Sequence, residues 1–226
     1  RYAPGESFVN SKQRRIPVSL DAPIFTLTHA MGFKGVLGGE YSFNRTEASV
    51  WKRFWLPSSW GKIDCSIKAG AEWNTVPFPL LILPEANLSY ITQRETFNLI
   101  NNMEFLNDRF ASVSLSYDMN GKLFNRIPLI KNLKWREMFR VRALWGTLTD
   151  KNNPFKSSNP DLFRFPMRDG KFTSFVMDPK IPYVEASVGI YNIFKLLHIE
   201  YVHRFTYRDN PGINKNGVRF MVLMAF

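Results

Sequence analysis

At 226 residues the chain is long enough for one large β domain or two small ones, and its single cysteine, Cys65, excludes an internal disulfide or a Cys-rich zinc site. No run approaches 18 consecutive apolar residues, which excludes a transmembrane helix. The net charge of +11 invites an anionic partner, but its Lys and Arg residues are scattered among apolar alternations instead of forming one basic run, which argues against nucleic acid.

Residues 1–23, with Pro4, Gly5, Pro17 and Pro23 and no period, read as an irregular lead-in. In residues 24–32, Phe25 and Leu27 alternate with Thr26 and Thr28, which predicts a strand before a turn at Gly35, Gly38 and Gly39. Residues 41–55 are β-rich but out of phase. Arg45, Glu47 and Arg53 share a parity with Tyr41, Phe43, Trp51 and Trp55, so a bulge or an end outside a membrane is expected.

Residues 61–73 are cleaner. Ile63, Cys65, Ile67, Ala69, Ala71 and Trp73 alternate with Lys62, Asp64, Ser66, Lys68, Gly70 and Glu72, as a wall between lipid and a polar lumen requires. A soluble sheet with one wet face gives the same pattern, and strand length favours the membrane: ten residues at a tilt of roughly 45° span about 23 Å.

Pro77, Pro79 and Pro84 make residues 74–96 a packed loop or a short edge segment, whereas the weakly patterned residues 97–106 read as a strand before a turn at Asn107 and Asp108. Ala111, Val113, Leu115, Tyr117 and Met119 alternate with Ser112, Ser114, Ser116, Asp118 and Asn120. Residues 122–135, broken by Pro128, predict a turn or short helix across one end of a barrel. In 135–148, Phe139, Val141, Ala143 and Trp145 oppose Arg136, Arg140 and Arg142.

Residues 149–182 form a long polar connection of the kind found outside barrels. Three strands follow, over 183–190, 198–208 and 217–226. The total is nine, whereas single-chain bacterial barrels have an even number. Either the 74–106 region is miscounted or earlier strands of the same barrel precede this piece, and the second is favoured.

The last strand, GVRFMVLMAF, places Val218, Phe220, Val222, Met224 and Phe226 on one face. Its aromatic end and alternation resemble the terminal signal by which outer-membrane barrels are recognised for assembly. The lumen-facing polar set is Lys62, Asp64, Lys68, Glu72, Arg136, Arg140, Arg142, Glu185, Glu200 and Arg204, mixed in sign and read as a salt-bridged wall more than as a conduit. Trp51, Trp55, Trp60, Trp73, Trp135 and Trp145 fall near predicted strand ends, as interface anchors do.

His29, His198 and His203 are the candidate bases, yet no GxSxG, HxxxH or HExxH string accompanies them, so no catalytic, cofactor or metal residue is assigned. His203 shares the supposed lipid parity with Tyr201 and Phe205, which suggests a bulge, a protein-covered patch or an error of phase.

The segments AGAEWNTVPFPLLILPEANLSY (69–90), LFNRIPLIKNLKWRE (123–137), TDKNNP (149–154) and the run from Pro182 to Phe220 resemble the C-terminal part of a Bacteroidota outer-membrane family of unestablished function. The resemblance covers most of residues 60–226. It implies a preceding portion with a signal peptide, a carboxypeptidase-regulatory-like domain and earlier barrel strands. The expectation is therefore all-β, an antiparallel transmembrane β-barrel of the outer-membrane type, with this chain supplying its C-terminal strands. Its function would be transport, translocation or assembly in the bacterial outer membrane. Its partners would be outer-membrane lipid, the barrel-assembly machinery, and further proteins or the preceding part of the chain, with no cofactor. The alternatives are a barrel hydrolase acting on lipid or peptide, and a soluble β-sandwich binding module.

Overall fold

The computed structural model describes residues 1–19, 21–93, 95–156, 162 and 164–222. In chain order its elements are β1 (Phe8–Asn10), β2 (Arg15–Pro17), β3 (Ile24–Gly32), β4 (Phe43–Trp55), β5 (Lys62–Glu72), β6 (Arg109–Asp118), α1 (Pro128–Leu133), β7 (Arg136–Thr147), β8 (Met167–Arg168), β9 (Lys171–Phe172), β10 (Tyr183–Ile193), β11 (Leu197–Arg204) and β12 (Asn216–Val222). The strands β3-β4-β5-β6-β7-β10-β11-β12 form one antiparallel sheet in that order, while β1–β2 and β8–β9 are separate hairpins. The chain is all-β and antiparallel.

Neighbours in the sheet are neighbours in sequence, so alternation in each strand is carried across by register. One row runs Trp51, Ser66, Ser114, Arg142, Glu185, Arg204 from β4 to β11. Because a strand turns successive side chains to opposite faces, the next row is apolar: Val50, Ile67, Val113, Ala143, Val184. The sheet curves so that Thr26 of β3 and Met221 of β12 line the same cavity. Polar rows face into this trough and apolar rows face out.

The two ends differ. At the turn end, residues 56–61, 119–135 and 194–196 link the strands; at the loop end, residues 73–108 and 148–182 are long. Gly61 is required at the first turn. Its φ is +88°, and a side chain there would run into the Asp118 carbonyl. Among the described residues, two clusters of buried apolar side chains sit at the loop end. Phe97, Ile100, Phe105, Leu144, Met177 and Tyr183 form one cluster, and Val76, Leu81, Leu106, Leu148 and Phe165 another.

Several expectations are corrected. The 41–55 strand carries no bulge, since β4 keeps continuous register with both neighbours. Phe43 and Trp51 share the concave face with Arg45, Glu47 and Arg53 because the trough has room for both kinds of side chain. The irregularity lies in β10, between Ile190 and Ile193. Residues 97–106 are not a strand but a buried loop, so the main sheet has eight strands among the described residues. The lead-in contains the β1–β2 hairpin.

The sheet is open. Among the described residues, β3 is bridged on its outer edge at Phe25 by Tyr2, and β12 at Phe220 by Ile91. Met224 and Phe226 of the terminal stretch lie outside the described residues, whereas Val218, Phe220 and Val222 all sit on the convex face of β12.

Candidate functional site

The concave face encloses a cavity of about 600 Å³, bounded by side chains from β3 through β12 and by the loop after β5. On its β4–β6 wall Arg53 grips Asp64 with two parallel bonds of 2.6 and 2.9 Å, and Lys62 lies 3.9 Å from Asp118. Tyr191 donates to that same Asp118. The three serines of β6, Ser112, Ser114 and Ser116, add hydroxyls to this wall, with Trp51 beside them.

On the β7–β11 wall the charges are buried and paired. Arg140 donates to both Glu200 oxygens at 2.8 Å, and His198 Nε2 lies 3.3 Å from one of them. Ser187 also donates to Glu200. The serine and the histidine therefore converge on one carboxylate that a guanidinium already holds, which makes a charge clamp. Arg142 binds Glu185 at 3.1 Å, and Arg204 binds Glu104 at 2.6 and 3.0 Å. Buried pairs of this kind hold only when further hydrogen bonds satisfy the remaining polar atoms. Glu185 accepts from the amides of Asn98 and Leu99 and from the Tyr183 hydroxyl, and Arg204 donates to the Leu99 and Tyr207 carbonyls.

These bonds explain the loop. Residues 73–93 leave β5 and cross the concave side as far as the edge of β12, and residues 95–108 lead back to β6. Lys68 anchors the crossing through Glu85 at 3.0 Å and Glu95 at 2.9 Å. At the far edge, Phe220 donates to the Tyr90 carbonyl and Thr92 donates to the Phe220 carbonyl, both at 2.9 Å. The return leg is fixed by Glu104 and by Asn107, whose side chain lies over Gly146 on the concave face of β7. We call this crossing segment the strap.

Lys62, Asp64, Lys68, Arg140 and Arg142 border the cavity. Glu185, Glu200 and Arg204 are buried behind it, and Glu72 is buried at the loop end, where it accepts from the Asn44 amide. Arg136 is different. It is exposed at the turn end, 5.9 Å from the Tyr191 ring, because β7 begins there and the cavity does not reach it. Arg53 and Trp51 escaped the sequence reading because the mixed parity of β4 hid its phase. Glu85, Glu95 and Glu104 escaped it because they act from the strap, which has no period.

The tryptophans divide. Trp55, Trp60 and Trp135 lie at the turn end and Trp73 and Trp145 toward the loop end, while Trp51 is a cavity residue and no girdle member. His203 lies on the convex side of β11 in unbroken register with Asn216 and 4.7 Å from the Phe205 ring, so no bulge explains it. Among the described residues no group of His, Cys, Asp and Glu could hold a metal ion.

Fold and site together define a curved antiparallel sheet with apolar side chains outside, ion pairs inside and an inward loop pinned across its trough. The chain belongs to the family whose model is described as the C-terminal domain of a family of unknown function (DUF5686); the match covers residues 1–155. No curated protein matches it.

Proposed function

We propose that this chain forms the C-terminal wall of an outer-membrane β-barrel whose lumen is the trough, and that it serves transport, translocation or assembly of a polar species. The single observation that carries the proposal is the inverted polarity of the sheet. Ile67, Leu115, Val141, Val188, Tyr201 and Phe220, one from each of six strands, are exposed on the convex face, while the charged residues between them are covered. Water disfavours so broad an apolar surface, and lipid accommodates it.

Strand length fits this solvent. An eleven-residue strand such as β5 rises roughly 26 Å across a membrane at a 45° tilt, close to the apolar band of such barrels. So does the contrast between compact turns at one end and long loops at the other. No helix among the described residues is long and apolar enough to cross a membrane. The spanning elements in this proposal are strands alone.

Beyond the bridges at Phe25 and Phe220, the outer edges of β3 and β12 have no partner strand among the described residues, and hydrocarbon does not tolerate unpaired backbone groups. In the barrel they pair with further strands, and the likeness to Bacteroidota outer-membrane proteins with a carboxypeptidase-regulatory-like domain supports a source earlier in the same polypeptide. Outer-membrane lipid and the barrel-assembly machinery are then its partners. Cell fractionation and gel migration test the proposal. The protein should require detergent for extraction and should migrate faster unheated than boiled; release by salt alone would sink it.

A further inference from the structure

We propose that the connection between β6 and β7, residues 122–134, is an interfacial anchor that lies on anionic phospholipid headgroups at the turn end. The inference rests on the membrane reading above and concerns a surface apart from the trough.

The segment KLFNRIPLIKNLK carries Lys122, Arg126, Lys131 and Lys134, and no acidic residue occurs between Gly121 and Trp135. Between the cations stand Leu123, Phe124, Ile127, Leu129, Ile130 and Leu133. In a soluble protein a short helix of this composition turns its leucines to the core. Here no residue of α1 is buried, and Leu129 is 83% exposed. The neighbouring turn does the same with Phe194, 80% exposed, beside Lys195 and Leu196. Asn192 donates to the Lys134 carbonyl at 2.7 Å, which joins the two turns into one patch.

The patch continues the convex side of the sheet. The Leu123 amide donates to Glu137, which shares its parity on β7 with convex Phe139 and Val141. Lys122 donates to the Ser58 carbonyl at 2.8 Å and stands 5.1 Å over the Trp60 ring. The hydroxyl of convex Tyr117 donates to the Trp60 carbonyl at 3.1 Å. An aromatic and apolar rim fringed by lysines whose stems can extend along apolar surface is the chemistry of a headgroup boundary. The uniform positive sign selects an anionic leaflet.

The experiment uses the full chain folded into phosphatidylcholine vesicles with or without phosphatidylglycerol. In a Cys65→Ser background, an environment-sensitive fluorophore is attached through Leu129→Cys or, as the control in the convex belt, Val188→Cys. Nitroxide-bearing lipid is the quencher. The expected result is quenching at 188 in both vesicles and quenching at 129 that deepens with phosphatidylglycerol. Lys131→Glu with Lys134→Glu should abolish that deepening. Quenching at 188 with none at 129 would overturn the anchor, leave the barrel standing and mark the patch as a surface for a soluble partner. Quenching at 129 that ignores both lipid charge and the charge reversals would overturn the headgroup specificity. No quenching at either position would remove the membrane reading and the anchor with it.

Discussion

Along β7, convex Phe139, Val141 and Trp145 are 39–46% exposed, whereas Arg140 and Arg142 between them are 6% and 2% exposed. A water-soluble sheet arranges these types the other way, with guanidinium groups wet and aromatic rings covered. The same twelve residues thus make two environments, and the difference lies in what covers each face. The concave side is covered by the strap and by opposite charges, whereas the convex side presents exposed apolar side chains. Burial on β7 follows ion pairing first and hydrophobicity second, the order expected of the proposed barrel wall.

The comparison breaks most sharply at the strap. Replacing Arg204 with Met leaves Glu104 buried without its cation, a change that costs about 3–5 kcal/mol. The urea midpoint of the folded protein should fall accordingly. Adding Glu104→Gln should recover much of the loss, and failure of that rescue would show that the pair is not what holds the strap.

On the convex side the substitution Val141→Arg separates lipid from water. In a bilayer an arginine near the midplane costs about 2–4 kcal/mol, while on a wet sheet surface it changes stability by less than about 0.5 kcal/mol. The folding equilibrium into vesicles measures which cost applies. A neutral result would mean that the apolar face is not in hydrocarbon.

A smaller effect is expected at Lys68, whose carboxylate partners Glu85 and Glu95 remain more than half exposed. Lys68→Ala should cost under about 1 kcal/mol yet leave two carboxylates unbalanced at the cavity wall. If the trough conducts, the reversal potential in a salt gradient should shift toward cation preference. An unchanged potential in a conducting channel would place these groups off the path.

The smallest effect is one of pH, at the loop end. Burial raises the Tyr207 phenol above its ordinary value, although the Asp178 amide donating to its oxygen opposes this. The ring packs on Phe105, and the hydroxyl donates to the Ile181 carbonyl at 2.7 Å. An acid whose folded pKa is raised stabilises fully below its unfolded value, near 10, and that contribution fades as pH climbs through the folded pKa. Alkaline titration should therefore loosen the loop end above about pH 10 in the native protein, and Tyr207→Phe should remove that dependence.

Much of the fold was legible because alternation is a local property. The faces of β5, β6 and β7 follow from which neighbour is apolar, and no distant contact is needed to read them. β4 resisted because Phe43 and Trp51 share a face with Arg45 and Arg53, which makes sense only once the trough is known to be wide enough for a tryptophan beside a guanidinium. Most of the charged wall could likewise be drawn up from parity, apart from Arg136, whose place depends on where the cavity ends.

What the chain determined on its own was the polarity of each strand and the proline-rich break after β5, since both depend on residues a few positions apart. Tertiary structure alone decided that residues 97–106 lie buried as a strap instead of joining the sheet. Their ties run from Glu104 to Arg204 and from Asn98 to Glu185, across 100 and 87 residues of sequence, and no periodicity encodes partners so distant. It also decided that the strands of the main sheet curve into a trough, because the twist that brings Thr26 and Met221 to one cavity accumulates over the whole sheet and is carried by no single strand.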